Sequence, residues 1–378
     1  MELLKKLFYL NPEVTFLNHG SFGACPKPVM DVYQNWQIEL EKQPVEFLGR
    51  KHGDLLYESR KALADYVSCD FNNLVFVANA TYAINIVSHS LKLLEDDEVL
   101  STNLEYGAMD RMWRIICERK GASYIRAKIS LPIREDKFVE NFWKNATDKT
   151  KVIFLSHITS STALLLPLQK IIDKARKKGI ITIIDGAHIP GQVPLDLDKL
   201  GCDFYTGNCH KWLMAPKGAA FLYVRKEKQD MLKPFLISWG RDEFLSDSAF
   251  IDEFEYQGTR DIAAFLSVPA AIFFHHENVK LSVKKNIYKL LSYVQKGLGE
   301  ILKTPPIVNK IPENMQMYAH PLPKHIDGKS IKLKLYDQFN IEVPVSTQNN
   351  VEYIRVSIHI YNTKSEIDYF LDALRSII

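Results

Sequence analysis

Short apolar runs punctuate the chain at "LVFV" (74–77), "VLST" (99–102), "VIFL" (152–155), "GIITII" (179–184), "DFYTG" (203–207) and "AAFLYV" (219–224). Runs of this length predict strands buried on both faces. Stretches with helical spacing stand between several of them, such as "AINIVSHSLKLL" after the first and "LQKIIDKARKKG" before the fourth. Alternation of strand and helix predicts an α/β fold with a mostly parallel sheet flanked by helices. Beyond about residue 260 the texture changes to helical "LSVPAAIFFHHENV" and "VKKNIYKLLSYVQKGLGEILK", a proline-rich joint "TPPIVNKIP", then "EYIRVSIHI" and a last helix. That order predicts a smaller α+β domain. In its strand, alternation puts Ile354, Val356, Ile358 and Ile360 on one face and leaves Arg355, Ser357 and His359 on the other, away from the core.

At 378 residues, with 46% hydrophobic and 25% charged residues, the chain can build a large core and two domains. Its 48 basic and 45 acidic side chains leave a net charge of +3, which gives no footprint for nucleic acid or a membrane surface. A small-molecule partner is expected instead. Five cysteines without a C-x-x-C pair suit a reducing, cytoplasmic compartment. The opening "MELLKKLFYLNPEV" is too polar for a signal peptide, and no apolar stretch approaches the ~18 residues of a membrane helix.

In an open parallel sheet, ligands sit beyond the carboxyl ends of the strands, so the residues after each run carry the candidate chemistry. After "LVFV", Ala78-Asn79-Ala80-Thr81 opens a helix, whose free N–H groups can take an anion; the plainer reading is a helix cap. "GIITII" ends in Asp185, followed by Gly186-Ala187-His188. A carboxylate buried there needs a cation or hydrogen-bond donors, and backbone N–H groups would serve as well as a ligand. After "DFYTG" come Asn208, Cys209, His210 and Lys211. A lysine desolvated at that point has a lowered pKa, the state wanted for Schiff-base chemistry, whereas an isolated lysine more often snorkels to the surface. Together, an anion site, a strand-end carboxylate and a strand-end lysine are what pyridoxal 5'-phosphate requires.

Several motifs in order then carry a resemblance: "FLNHGSFGACPKPV", "ELEKQPVEFLGR", "ANATYAIN", "LEYGAM", "SHITSSTALLLPL", "IDGAHIPGQVPLDL", "YTGNCHKWLMAPKG", "QGTRD" and "IRVSIHIYNT". The chain resembles fold-type I pyridoxal-phosphate enzymes of the class V aminotransferase superfamily, in their isopenicillin N epimerase-like branch. The resemblance implies a seven-stranded-type sheet in a large cofactor-binding domain (21–258), a small C-terminal domain (259–378), and an N-terminal segment (1–20) packing with the latter. It implies that Lys211 carries the Schiff base, Asp185 binds the pyridinium nitrogen, and His188 sits near the phenolic oxygen. Ala80, Thr81, Asn208 and His210 would hold the phosphate, and Tyr106 would stack on the ring. Ser160 stands at a cofactor-binding position where related enzymes often carry an Asn contacting that phenolic oxygen, and Ala163 where they commonly carry Gly. Gly258 and Thr259 would reach the phosphate of a neighbouring subunit, which implies a homodimer. Arg355 would bind the substrate α-carboxylate, a task suited to a guanidinium fork.

Removal of an α-proton is common to racemisation, transamination and β-elimination of sulfur, so these motifs leave the reaction open. Epimerisation, the favoured reading, needs a second acid on the opposite face, for which Tyr106 and His19 are candidates; a carbon–sulfur lyase or an aminotransferase are the alternatives. Related cysteine desulfurases need a nucleophilic Cys shortly before the carboxylate-binding Arg, but "FNIEVPVSTQNNVEYIR" has none and every cysteine lies at or before Cys209, which argues against persulfide transfer. A hydrolase reading of "NHGSFG" lacks a G-x-S-x-G elbow, and a non-catalytic scaffold would have no need of Lys211, Asp185 and Arg355. His275 and His276 show no zinc-like spacing.

Overall fold

The computed structural model describes residues 2–241, 246 and 248–378. Strand β1 (Thr15–Phe16) precedes a seven-stranded sheet of β2 (Leu74–Val77), β3 (Glu98–Thr102), β4 (Ser123–Ala127), β5 (Thr150–Ser156), β6 (Ile181–Asp185), β7 (Phe204–Asn208) and β8 (Ala220–Val224). The spatial order is β2-β8-β7-β6-β5-β3-β4, and β8 alone runs against the others. This is the expected α/β fold with a mostly parallel sheet. Strands β2, β7 and β8 are buried along their length, which is why they read as unbroken apolar runs. Strand β4, "SYIRA", lies at the sheet edge, half-buried and partly polar, and carries no such signal.

Alternate residues of each strand feed two cores. Val75, Val99, Phe154 and Phe204 pack with the helices Ala80–Ser90 and Gly107–Lys120 on one face. Leu74, Leu100, Ile153 and Tyr205 face the opposite layer, whose core continues into the C-terminal sheet. That second sheet joins β9 (Met317–Pro321), β11 (Val345–Gln348) and β12 (Val351–Ser357) in the antiparallel order β11-β12-β9, while β10 (Ile341–Glu342) pairs with β1 in parallel. A 22-residue helix, Leu281–Leu302, and the capped helix Lys364–Ile377 cover it. Ile354, Val356 and Ile358 enter the core as the alternation requires. Arg355 differs from expectation, because the face it occupies is itself covered and leaves it only 6% exposed. Among the described residues, no helix is long and apolar enough to cross a membrane.

Candidate active site

The carboxyl ends of β2, β3, β5, β6 and β7 converge with the N-terminal segment and β12 around a cavity of about 470 Å³. That volume suits a cofactor-sized ligand. Two roomier hollows, about 760 and 1020 Å³, lie elsewhere and contain neither Lys211 nor Arg355.

Lys211 follows β7 and lines the cavity half-buried. Burial lowers its pKa to about 8, helped by the positive charge of Arg355 and opposed by Asp185. Its Nζ lies 3.2 Å from His188 Nε2. Asp185 ends β6 and accepts the Ala187 N–H at 2.9 Å on Oδ1, the one hydrogen bond of its carboxylate among the described residues. Burial raises its pKa, against the pull of that N–H and of Lys211. A buried carboxylate with so little compensation fits a cationic N–H partner from a ligand.

The anion end is built by the helix Ala80–Ser90. Its first N–H groups have no intrahelical partner. Asn79 caps it by accepting the Tyr82 N–H at 2.8 Å, and Asn208 Oδ1 accepts the Ala80 N–H at 2.9 Å. Ala80, expected to hold a phosphate, therefore has its donor taken within the protein. Thr81 and Asn208 both line the cavity. His210 also lines the cavity; its Nδ1 donates to the Ala219 carbonyl at 2.9 Å, which leaves Nε2 as the free ring atom. Burial and then Lys211 lower its pKa to about 4.

Arg355 reaches in from β12. Its Nη1 donates to the Ser160 carbonyl at 2.7 Å and more weakly to the Ser160 hydroxyl at 3.4 Å, and Nη2 donates to the Ser21 hydroxyl at 3.0 Å. Ser21 in turn donates to Asn18 Oδ1 at 2.5 Å. Arg355 Nε is buried without a partner, a donor left for a carboxylate. Burial lowers the guanidinium to about pKa 10. Ser160 thus serves Arg355 in this structure. Tyr106, at the start of the helix Gly107–Lys120, lines the cavity and is 45% exposed, so its ring face is open.

His19 is a correction. It does not line the cavity, but lies fully buried with Nε2 3.0 Å from the Lys211 carbonyl and Nδ1 2.8 Å from the Tyr361 hydroxyl. Since a carbonyl only accepts, Nε2 donates and Nδ1 accepts from Tyr361. Burial pushes its pKa down to about 3. Both nitrogens are occupied, so the ring props the lysine's main chain and has no proton to offer a substrate. Gly258 and Thr259 also lie outside the cavity; Thr259 is exposed, and a Cβ on Gly258 would meet nothing within 4 Å. Ala163 adopts φ +51°, a left-handed backbone that glycine would take without strain.

The structure adds residues that the motifs pass over. In "LEYGAM", Glu105 precedes Tyr106 and is buried, accepting the Ser156 N–H at 2.8 Å, the Ser156 hydroxyl at 2.6 Å and the Thr102 hydroxyl at 2.6 Å. Burial raises its pKa to about 7, since those bonds offset desolvation only in part. It follows an apolar strand as Asp185 does, and that signal was available in the sequence. Gly23 lets the N-terminal segment press on the lysine's main chain: at φ +72°, an added Cβ would stand 2.1 Å from the His210 carbonyl oxygen.

The chain matches the family described as Aminotransferase class-V over residues 21–370. It is 33% identical to an isopenicillin N epimerase of Amycolatopsis lactamdurans, over 97% of this chain and 96% of that protein. A probable chloroplastic L-cysteine desulfhydrase of Arabidopsis thaliana is 24% identical over 100% of this chain and 86% of its own length. In fold, the chain matches a variant of the cystine C-S lyase C-DES that has glycine covalently linked to its pyridoxal-phosphate cofactor, with a TM-score of 0.86 at 21% identity over 98% of both chains.

Proposed function

Because this chain belongs to the class V aminotransferase family, we propose that it binds pyridoxal 5'-phosphate in this cavity and inverts the α-carbon of an amino-acid-like substrate, as an epimerase does. When bound, the cofactor supplies an electron sink that makes an α-proton removable. The observation that carries the reading is the half-buried amine of Lys211 sharing one cavity with Asp185 and Arg355. The full-length likeness to an isopenicillin N epimerase favours inversion over other outcomes.

On this reading Lys211 Nζ would hold the cofactor covalently and would serve as the base for the Cα proton; a pKa near 8 keeps part of it neutral at physiological pH. Asp185 holds a proton on the cofactor's ring nitrogen. Thr81, Asn208 and His210 hold the phosphate, with His210 taking up a proton as the dianion arrives. Arg355, fixed by Ser21 and Ser160, orients the substrate through its α-carboxylate. Tyr106 would cover the ring, and its hydroxyl would return a proton to Cα. Gly258 and the exposed Thr259 would complete the phosphate site of a second copy, so the working form is a homodimer. Five unpaired cysteines support a cytoplasmic setting.

The second reading is a carbon–sulfur lyase, favoured by the relatives named cysteine desulfhydrases. Elimination at Cβ needs Lys211 but no acid on the opposite face. A persulfide relay is no part of either reading: Cys209 is buried and its thiol pKa is raised by burial, and no cysteine follows it.

The test is incubation of the purified holoenzyme with a panel of L-amino acids and L-cysteine, followed by chiral chromatography and assays for pyruvate, sulfide and keto acid. Loss of optical purity, with inversion slowed in Tyr106→Phe while exchange of the α-proton with deuterium persists, is the expected outcome. Retained optical purity with release of pyruvate and sulfide would assign the lyase instead.

A further inference from the structure

His188 lies between two nitrogen groups. Trp212 Nε1 is 3.2 Å from His188 Nδ1, and Lys211 Nζ is 3.2 Å from His188 Nε2. An indole nitrogen donates and never accepts. Nδ1 must therefore present its lone pair to Trp212, and a neutral His188 carries its proton on Nε2, aimed at Lys211. An ammonium at Lys211 would meet that N–H with a second donor. Relief would require moving the imidazole proton to Nδ1, against the indole N–H. Only the free amine, with its lone pair toward Nε2, satisfies all three groups at once.

The arrangement has little freedom to relax. Trp212 is fully buried, and its indole packs on the rings of His19 and His359 at centroid distances of 5.1 and 6.0 Å. On another side, a Cβ at Gly20 would stand 3.1 Å from Trp212 Cζ2. The His188 carbonyl is held by Gln192 Nε2 at 2.8 Å, which ties down the main chain as well as the ring. The charges facing this trio are Asp185 from β6, which favours the ammonium, and Arg355 from β12, which opposes it; His210 adjoins on the lysine's own loop.

We propose that the indole of Trp212 is a positioning residue that fixes His188 as its Nε2–H tautomer and thereby favours the free amine of Lys211 over its ammonium. Its catalytic consequence rests on the proposed role of Lys211: an amine ready to form the covalent link, and a base whose acquired proton is not retained. The tautomer itself does not depend on that reading.

The test uses the cofactor-free full chain. Nitrogen-15 NMR of histidine rings, with His188 assigned from its absence in His188→Gln, should show Nε2 protonated and Nδ1 bare in the unaltered protein. Competitive labelling of Lys211 by acetic anhydride across pH, read by mass spectrometry, gives the midpoint at which the amine appears. Trp212→Phe keeps a ring in the slot without the N–H, and should raise that midpoint by about one pH unit, the tenfold change that accompanies loss of one hydrogen bond to the amine. A wild-type His188 protonated on Nδ1, or a folded Trp212→Phe protein with an unmoved Lys211 midpoint, overturns the inference. Should Trp212→Phe not fold, the wild-type tautomer decides alone. If both results are as expected but the protein does not take up pyridoxal phosphate, the functional reading fails and this inference stands.

Discussion

Replacing Glu105 by Gln removes a charge from behind the cavity while keeping the side chain's shape. In the folded protein this carboxyl is raised from 4.5 to about 7, chiefly because burial strips water from the ionised form. A group raised on folding contributes stability that is fully present below its unfolded pKa and is lost as the pH rises through the folded value. The gap between 4.5 and about 7, at about 1.36 kcal/mol per pH unit, amounts to about 3 kcal/mol. Between pH 5 and 9 the wild type should therefore lose about 2–3 kcal/mol relative to Glu105→Gln, most of it below pH 7. The amide oxygen can still accept from the Ser156 N–H and hydroxyl, so any fixed offset between the two proteins should not vary with pH.

Urea unfolding of the cofactor-free proteins, followed at intervals across that range, measures the difference directly. Other raised groups, such as Glu255 and Asp185, titrate in both proteins and largely cancel. Two stability curves that run parallel from pH 5 to 9 would refute the reasoning, since Glu105 would then titrate as an ordinary carboxyl despite its burial.

Other substitutions probe the scaffold. Gly23→Ala places a Cβ at φ +72° against the His210 carbonyl, so it should cost at least about 2 kcal/mol in thermal unfolding and weaken cofactor uptake measured by absorbance titration; an unaffected protein would mean that the N-terminal segment does not seat on the lysine's main chain. Ala163→Gly should raise the melting temperature modestly, because relief of about 1–2 kcal/mol of left-handed strain exceeds the roughly 0.5–1 kcal/mol that glycine's chain entropy takes back; a lower melting temperature would contradict the strain. Glu255→Ala leaves the Arg60 guanidinium buried without its carboxylate and also frees the Phe76 N–H, so urea unfolding should show a loss of about 3–5 kcal/mol, part of it recovered by adding Arg60→Met.

What was legible in the sequence follows from what local pattern can encode. The inner strands announce themselves because both their faces are buried, and the strand-end rule then brings Asp185 and Lys211 to one cavity without further information. Strand β4 is silent because an edge strand half in water has no apolar run, and the two-residue pairing of β1 with β10 joins positions more than 300 residues apart. Alternation gives the face of Arg355 but not its burial, which depends on Ser21 from the N-terminal segment and Ser160 after β5. His19 misleads for a related reason. "NHGSFG" does contribute Ser21 and Phe22 to the cavity, but the direction of the histidine ring is set by Tyr361 and the Lys211 carbonyl, which sequence spacing does not reveal.

The ionisable groups of the cavity stand against their own solvation. Burial lowers Lys211, Arg355 and His210 and raises Asp185, so each is held in a form, or at a strain, that a complementary charge would relieve. On the proposed reading, a phosphate dianion beside His210, a ring N–H at Asp185 and a carboxylate at Arg355 would each supply the missing partner. Ligand binding should therefore stabilise the fold through the same groups that bind it, by the linkage that favours any state able to hold a ligand. Preorganisation demands that these groups not relax toward one another meanwhile. His19 and Gly23 hold the main chain of Lys211, Trp212 holds His188, and Ser21 with Ser160 holds Arg355. Substitution at His19, Gly23 or Trp212 should therefore disturb the state of Lys211, and substitution at Ser21 or Ser160 the placement of Arg355.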